Sequence, residues 1–218
     1  MNNEINLNEP FGQLIYQTVI EYNLKTNLEL GSWDGEGSTF CFVEAMKQLT
    51  GSKLLGCVEV DKQKISMLAN MYSLVNFVTP IHGSSVNYDE LVYKDFESVW
   101  NSPFNKINKN SYSKELVKSW FDRDIELLKR VKKSAISYYK DVIWDSVLID
   151  GGEFSGYSEY KLLKDKTKVL FLDDVHSAFK CYEIYTELQH DSSWELMQEN
   201  SSVRNGYAVF IRKQNISN

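Results

Sequence analysis

Residues 28–39 read LELGSWDGEGST, and this stretch decides the fold. An apolar segment with the character of a strand ends at Gly31, two more glycines follow at positions 35 and 37, and a helix begins near Ser38. Glycine lets the backbone turn sharply and approach a neighbouring group closely. The pattern predicts a strand–turn–helix corner, which is either a structural connection or the wall of a binding site.

Predicted strands and helices alternate on both sides of this turn. Apolar, strand-length runs lie at 27–30, 54–60, 77–82, 146–150, 169–173 and 207–212. Helical periodicity covers 11–23, 38–49, 62–72 and 178–189, and a short segment at 154–163 lies between two strands. Strands and helices that alternate along the chain, with the strands buried on both faces, are typical of an open, mostly parallel α/β sheet.

Length and composition narrow the class of protein. A chain of 218 residues with 43% hydrophobic residues forms a core, so residues 1–218 are expected to be a single domain. The three cysteines, Cys41, Cys57 and Cys181, form no Cys-x-x-Cys pair and are interpreted as reduced thiols. No membrane-length apolar run and no basic leader are visible, so a cytoplasmic protein without membrane contact is expected.

The charge is uneven along the chain. The formal net charge is −6, yet residues 94–140 hold eleven basic and six acidic side chains. This stretch is longer than an ordinary connection, and its second half, 114–139, is predicted to be one helix with Leu116, Trp120, Ile125, Leu128 and Val131 facing inward. We interpret 94–140 as a basic, largely helical insertion, either a solvated surface or a lid that attracts an anionic small molecule. The acidic remainder of the chain argues against nucleic acid as a partner.

Acidic side chains follow two strands that are expected to be neighbours. Asp150 follows one strand, Asp173 and Asp174 follow the other, and His176 comes next. Strand ends ~4.8 Å apart bring such groups together, and carboxylates suit Mg²⁺. A metal site at Asp150, Asp173 and Asp174 is therefore one hypothesis, and a helix cap by one aspartate is the other. His176 could accept a proton or could be structural.

A carboxylate also ends the second strand. Glu59 follows the glycine turn at the ~20-residue spacing that separates such a turn from a carboxylate that binds ribose hydroxyls. Phe40 stands where a nicotinamide-binding Gly-x-Gly-x-x-Gly turn would place its third glycine, so that motif fails. The spacing favours a nucleoside-containing ligand of another kind.

Four motifs in order resemble those of class I S-adenosylmethionine-dependent methyltransferases. They are ELGSWDGEGS at 29–38, VEVD at 58–61, HGSS at 82–85 and LIDGG at 148–152. The third is the weakest, because Ser84 stands where the family usually has an acid. The segments LIDGGEFSGY at 148–157, LDD at 172–174 and NGYAVF at 205–210 are similar to small bacterial methyltransferases of surface-glycan gene clusters. The acidic cluster is similar to that of metal-assisted O-methyltransferases.

The resemblance implies a Rossmann-like, doubly wound, mostly parallel seven-stranded sheet with a helical insertion before the fourth strand. It implies cofactor contacts from Glu29, Gly31, Ser32, Trp33, Gly35, Gly37, Ser38, Glu59, Val60, Ser84, Ser85 and Asp150. The expected reaction is O-methylation of a small, sugar-derived or anionic acceptor, with Mg²⁺ assistance as an option. His176, Asp174 and Asp150 are the catalytic candidates. The alternative is a non-catalytic nucleoside-binding or partner-binding module on the same fold.

Overall fold

The computed structural model describes residues 5–176 and 178–213 as one seven-stranded sheet with helices on both faces. The strands are β1 (Thr26–Leu30), β2 (Leu54–Glu59), β3 (Val78–His82), β4 (Trp144–Ile149), β5 (Thr167–Asp173), β6 (Trp194–Asn200) and β7 (Tyr207–Arg212). The helices are α1 (Pro10–Glu21), α2 (Ser38–Lys47), α3 (Lys62–Met71), α4 (Phe96–Trp100), α5 (Lys114–Leu128), α6 (Ala135–Tyr138), α7 (Gly156–Leu163) and α8 (Tyr182–His190).

The strand order is β3-β2-β1-β4-β5-β7-β6. Strands β1 to β5 run parallel, and β7 is antiparallel to both β5 and β6. The chain leaves β1 in one direction and returns at β4 in the other, so the topological switch point lies between these two strands. The predicted fold class, a doubly wound and mostly parallel sheet with a helical insertion before the fourth strand, is confirmed.

Alternate residues of the central strands enter different apolar clusters, one on each face of the sheet. Leu28, Val147 and Leu170 belong to the cluster that contains α5, α7 and α8. Leu148 and Phe171 belong to the cluster that contains α1, α2 and α3. Because side chains of a strand point to opposite faces in turn, both faces must be covered, which explains why these strands are apolar throughout.

The predicted single helix over 114–139 is wrong, because the structure has two helices there. Helix α5 ends at Leu128, and α6 begins only at Ala135. Ser134 caps α6 through its hydroxyl, and the amides of Ala135 and Ile136 donate to the carbonyls of Ser84 and Ser85. These tertiary hydrogen bonds fix the second helix to the loop after β3.

The predicted inward face of α5 is also partly wrong. Its buried residues are Val117, Phe121, Ile125 and Leu128, whereas Leu116 is 43% exposed. Strand β6 was not predicted, because its exposed glutamates and glutamine hide the strand pattern of this sheet edge. Within the described ranges, no helix is long and apolar enough to cross a membrane.

The ends of β1 and β4 meet at Gly31. Its φ angle is 91°, and a Cβ atom placed there would lie 2.3 Å from the backbone oxygen of Asp150. The Asp150 amide donates to the carbonyl of Leu30 at 3.0 Å, so the two strand ends are joined directly beyond their ladder. Only glycine satisfies both the left-handed backbone and this close approach.

We expect Gly31→Ala to destabilise the fold more than a control with the same backbone strain. Gly51→Ala is that control, because Gly51 has a φ of 87° and its nearest heavy atom to a new Cβ is the mobile Lys25 ammonium at 3.6 Å. An alanine with a left-handed backbone conformation should lower the free energy of unfolding of both variants by ~1–2 kcal/mol. The backbone collision should add ~1–3 kcal/mol at Gly31 only, as measured by urea denaturation. Equal losses in the two variants would contradict the close approach.

Candidate functional site

A cavity of about 690 Å³ lies beyond the carboxyl ends of β1, β2 and β4, at the switch point of the sheet. Ligand sites of open α/β folds lie at this position. The structure brings most of the predicted cofactor residues to its wall. Those at the wall are Gly31, Ser32, Trp33, Gly37, Ser38, Glu59, Val60, Ser84, Ser85 and Asp150.

Glu59 is fixed on this wall by its own backbone surroundings. One carboxylate oxygen accepts from the Trp33 amide at 2.9 Å, and the other accepts from the Asp61 amide at 2.8 Å. Trp33 reaches this position with a φ of 49°, which is uncommon outside glycine. An ionised carboxylate has about four acceptor positions, so Glu59 keeps capacity for hydroxyl groups of a ligand.

Two predicted cofactor residues, Glu29 and Gly35, lie behind the wall. Glu29 is fully buried and accepts from the hydroxyls of Ser38 at 2.5 Å and Thr39 at 2.6 Å, which ties β1 to the first turn of α2. Burial raises the pKa of Glu29, and these hydrogen bonds oppose the shift. Gly35 packs against Tyr72, whose hydroxyl donates to the Gly35 carbonyl at 2.7 Å. Both residues support the turn that lines the cavity.

A buried acid that the sequence analysis did not single out stands behind the Ser85 side of the cavity. The hydroxyls of Ser85 and Ser155 both donate to one oxygen of Glu159 on α7, the second at 2.9 Å. Burial raises the pKa of Glu159. Ser85 and Ser155 lie at the cavity wall, so Glu159 sets the direction of their hydroxyl protons. A glutamate inside a helical pattern carries no signal that distinguishes it from a surface residue.

The predicted acidic cluster forms at the ends of β4 and β5. Asp150, Asp173 and Asp174 each offer a carboxylate oxygen, and these atoms lie within 4.8 Å of one another. The Lys180 ammonium lies between two of them, 2.8 Å from Asp150 and 2.7 Å from Asp174. The third carboxylate, Asp173, is 2.9 Å from a guanidinium nitrogen of Arg204. Each acid of the cluster therefore has a cationic partner within the chain.

The charges in this cluster act on one another strongly. Burial and the charges of Asp150 and Asp174 raise the pKa of Asp173. Burial also acts against ionisation of Asp174, but the adjacent Lys180 ammonium outweighs it and lowers the pKa of that carboxyl. The carboxylates that a divalent metal would need already pair with two cations, Lys180 and Arg204, so the donor set as folded does not fit a bound Mg²⁺ ion.

The structure places His176 to one side of the cavity. Its amide donates to the Asn205 carbonyl at 2.8 Å, and its ring packs edge-on against Tyr185 with centroids 5.1 Å apart. The ring also lies against the backbone of Gly206. Among the described residues, Asp150 is the catalytic candidate at the cavity wall, whereas His176 and Asp174 lie outside it. A catalytic role for His176 stays a prediction.

Helix α5 forms the opposite wall of the cavity with Trp120, Phe121, Leu128 and the pair Arg123–Asp124. Burial raises the pKa of Asp124, although Arg123 opposes the shift. Of the basic residues of 94–140 in the described structure, Arg123 is the one at the wall. Several others pair with exposed acids, such as Lys118 with Asp122 at 2.5 Å. The insertion therefore presents a mainly apolar face to the cavity.

Known proteins resemble this chain in structure. No protein-family model and no curated protein matches its sequence. An O-methyltransferase from Bacillus cereus in complex with S-adenosylhomocysteine (SAH) has a TM-score of 0.58 at 11% identity, covering 93% of this chain and 80% of the other. A second similar structure is TomG from Streptomyces achromogenes, an O-methyltransferase involved in tomaymycin synthesis, in complex with S-adenosylmethionine (SAM). Its TM-score is 0.58 at 12% identity, and the match covers 93% of this chain and 79% of the other.

A third similar structure is the SAH-bound Podospora anserina methyltransferase PaMTH1, with a TM-score of 0.54 at 13% identity, covering 93% of this chain and 78% of the other. The chain shares the α/β, Rossmann-like fold of these methyltransferases. At these identities the likeness concerns the fold, and the chemistry of this chain must be argued from its own residues.

We expect the wild type to lose stability relative to Glu29→Gln as the pH rises above about 4.5. The raised pKa of Glu29 means that ionisation costs more in the folded state than in the unfolded state. This free-energy cost is absent at pH values below the pKa of Glu29 in the unfolded state. It grows with pH until the pH passes the pKa of Glu29 in the folded state. Glutamine still bonds both hydroxyls without the charge. Denaturation midpoints between pH 4 and 8 test this.

The control is Glu36→Gln, which removes an exposed carboxylate from the same turn. Its stability curve should follow the wild type across the pH range. A constant difference between the wild type and Glu29→Gln would show that the buried Glu29 carboxylate does not have a raised pKa.

Proposed function

We propose that the protein is a SAM-dependent methyltransferase that acts on an oxygen of a small acceptor. The observation that carries the proposal is the Glu59 carboxylate, which two backbone amides hold at the wall of a cavity at the switch point of a methyltransferase fold. Similar folds with SAM or SAH bound, two of them named O-methyltransferases, support the cofactor and the choice of oxygen.

The cavity fits such a cofactor on two observations. Gly83 lies at the wall, and a Cβ atom built there would meet nothing within 4 Å, so its missing side chain leaves room for a flat ligand. Glu59 keeps acceptor capacity for a pair of vicinal hydroxyls. When bound, the sulfonium of SAM supplies an electrophilic methyl group. Positioning of the two reactants then supplies much of the rate.

In this proposal each part of the cavity wall contacts a different part of the cofactor. Glu59 accepts from the ribose hydroxyls, and the turn from Gly31 to Ser38 holds the methionine portion. Ser84 and Ser85 lie on the adenine side. Asp150 lies between the turn and the acceptor side, so its carboxylate can hold the cofactor ammonium or the acceptor hydroxyl.

The acceptor side is the wall formed by α5. Trp120 and Phe121 provide flat apolar surfaces that suit either an aromatic ring or the face of a sugar, and Arg123 provides one cation at the wall. We propose a small hydroxylated acceptor that packs against this helix. A strongly anionic acceptor is less well matched, because Lys114 and Lys118 of α5 and its C-cap Lys129 pair with exposed acids.

Calorimetric titration of the full chain with SAH tests the proposal. We expect micromolar binding to the wild type. Glu59→Ala should weaken binding about 10- to 100-fold, because it removes charge-assisted hydrogen bonds worth ~1.5–3 kcal/mol. Glu36→Ala is the matched control: it removes an exposed carboxylate of the same turn and should leave SAH affinity unchanged.

The outcomes separate the two classes of function. No SAH binding to the folded wild type would contradict the proposal and leave a fold that serves as another kind of binding module. Binding that survives Glu59→Ala at full strength would keep the cofactor class but would remove the ribose role from Glu59.

A further inference from the structure

Lys180 contributes a buried ammonium group to the acidic cluster at the ends of β4 and β5. Its side chain is 11% exposed, and the ammonium contacts Asp150 at 2.8 Å and Asp174 at 2.7 Å. The ammonium therefore lies between two carboxylates of the cluster.

The backbone of Lys180 is held in place independently of these ion pairs. The start of α7 packs so closely on it that a Cβ atom at Gly156 would lie 2.3 Å from the Lys180 carbonyl oxygen. The preceding amide, that of Phe179, donates to the Glu153 carboxylate at 2.7 Å. Packing and hydrogen bonding thus direct this segment toward the cluster, and the ammonium is not a surface group that happens to lie nearby.

The ammonium and a divalent metal would compete for the same carboxylates. Mg²⁺ bonds oxygens at ~2.0–2.1 Å and accepts only near-octahedral arrangements, so an ion bound to Asp150 and Asp174 would lie beside the Lys180 ammonium that contacts both carboxylates. With Lys180 and Arg204 present, the three carboxylates are left with one formal negative charge in excess. That is too little to offset the repulsion between a dication and two adjacent cations.

We propose that Lys180 is the resident cation of this cluster, in the position that a divalent metal would take, and that the site works without a metal ion. The role of Lys180 in placing an acceptor rests on the proposed function. Lys180 is then a positioning residue: it fixes the Asp150 carboxylate at the cavity wall. Asp174, which has a φ of 57°, is fixed by the same ammonium and by the side-chain amide of Asn205, which donates to it at 2.9 Å.

Titration of the full chain with Mn²⁺, followed by electron paramagnetic resonance, tests the proposal without any need for activity. We expect no specific Mn²⁺ site in the wild type. Lys180→Met should free the carboxylates and create one, with an affinity at least tenfold above the wild type. Lys164→Met is the control, because it removes another partly buried lysine, which follows α7 and pairs with Glu187 of α8 at 3.2 Å, and it should create no site.

Specific Mn²⁺ binding to the wild type that Asp174→Asn abolishes would overturn the proposal. So would a folded Lys180→Met that gains no Mn²⁺ affinity, because the cluster would then not be a position that a metal can take.

A second measurement on the wild type covers the case in which Lys180→Met fails to fold. When the lysines are acetylated and the products are read by mass spectrometry, Lys180 should be protected from the reagent. Adding Mg²⁺ at ~10 mM, a concentration far above the dissociation constant of a tight Mg²⁺ site, should not change that protection. Mg²⁺-dependent acetylation of Lys180 would show displacement by metal and contradict the proposal. A wild type that binds neither Mn²⁺ nor SAH would instead remove the proposed function and leave the resident cation intact.

Discussion

The close approach of β1 and β4 at Gly31 is the constraint on which the site depends. The two strands belong to opposite halves of the doubly wound sheet, and their loops must separate on either side of the switch point. The hydrogen bond from Asp150 to Leu30 holds the two ends together, and glycine lets the Asp150 carbonyl come within 2.3 Å of where a Cβ would stand. The cavity opens where the two loops part.

Four carboxylates lie at or behind the wall of this cavity, and each of the four has donors supplied by the fold. Glu29 accepts from two hydroxyls of α2, Glu59 from two backbone amides, and Glu159 from two serines. Asp150 is held by the Lys180 ammonium. Burying an acid is costly unless it is paired or hydrogen-bonded, so these partners are what make an acidic site stable beside apolar strands.

Much of this architecture could be predicted from local sequence. The glycine turn, the central strands and the position of Glu59 follow from short-range patterns, and the structure confirms the fold they imply. The break between α5 and α6 could not be predicted, since it depends on hydrogen bonds from Ala135 and Ile136 to a loop some fifty residues earlier. Lys180 was visible in the sequence, but its place between two aspartates depends on how α7 packs.

The most direct measurement is a crystal structure of the protein with SAH. We predict density in the cavity at the switch point, with both ribose hydroxyls within hydrogen-bonding distance of the Glu59 carboxylate and the homocysteine portion along the turn from Gly31 to Ser38. SAH bound elsewhere, or a ribose directed away from Glu59, would contradict it.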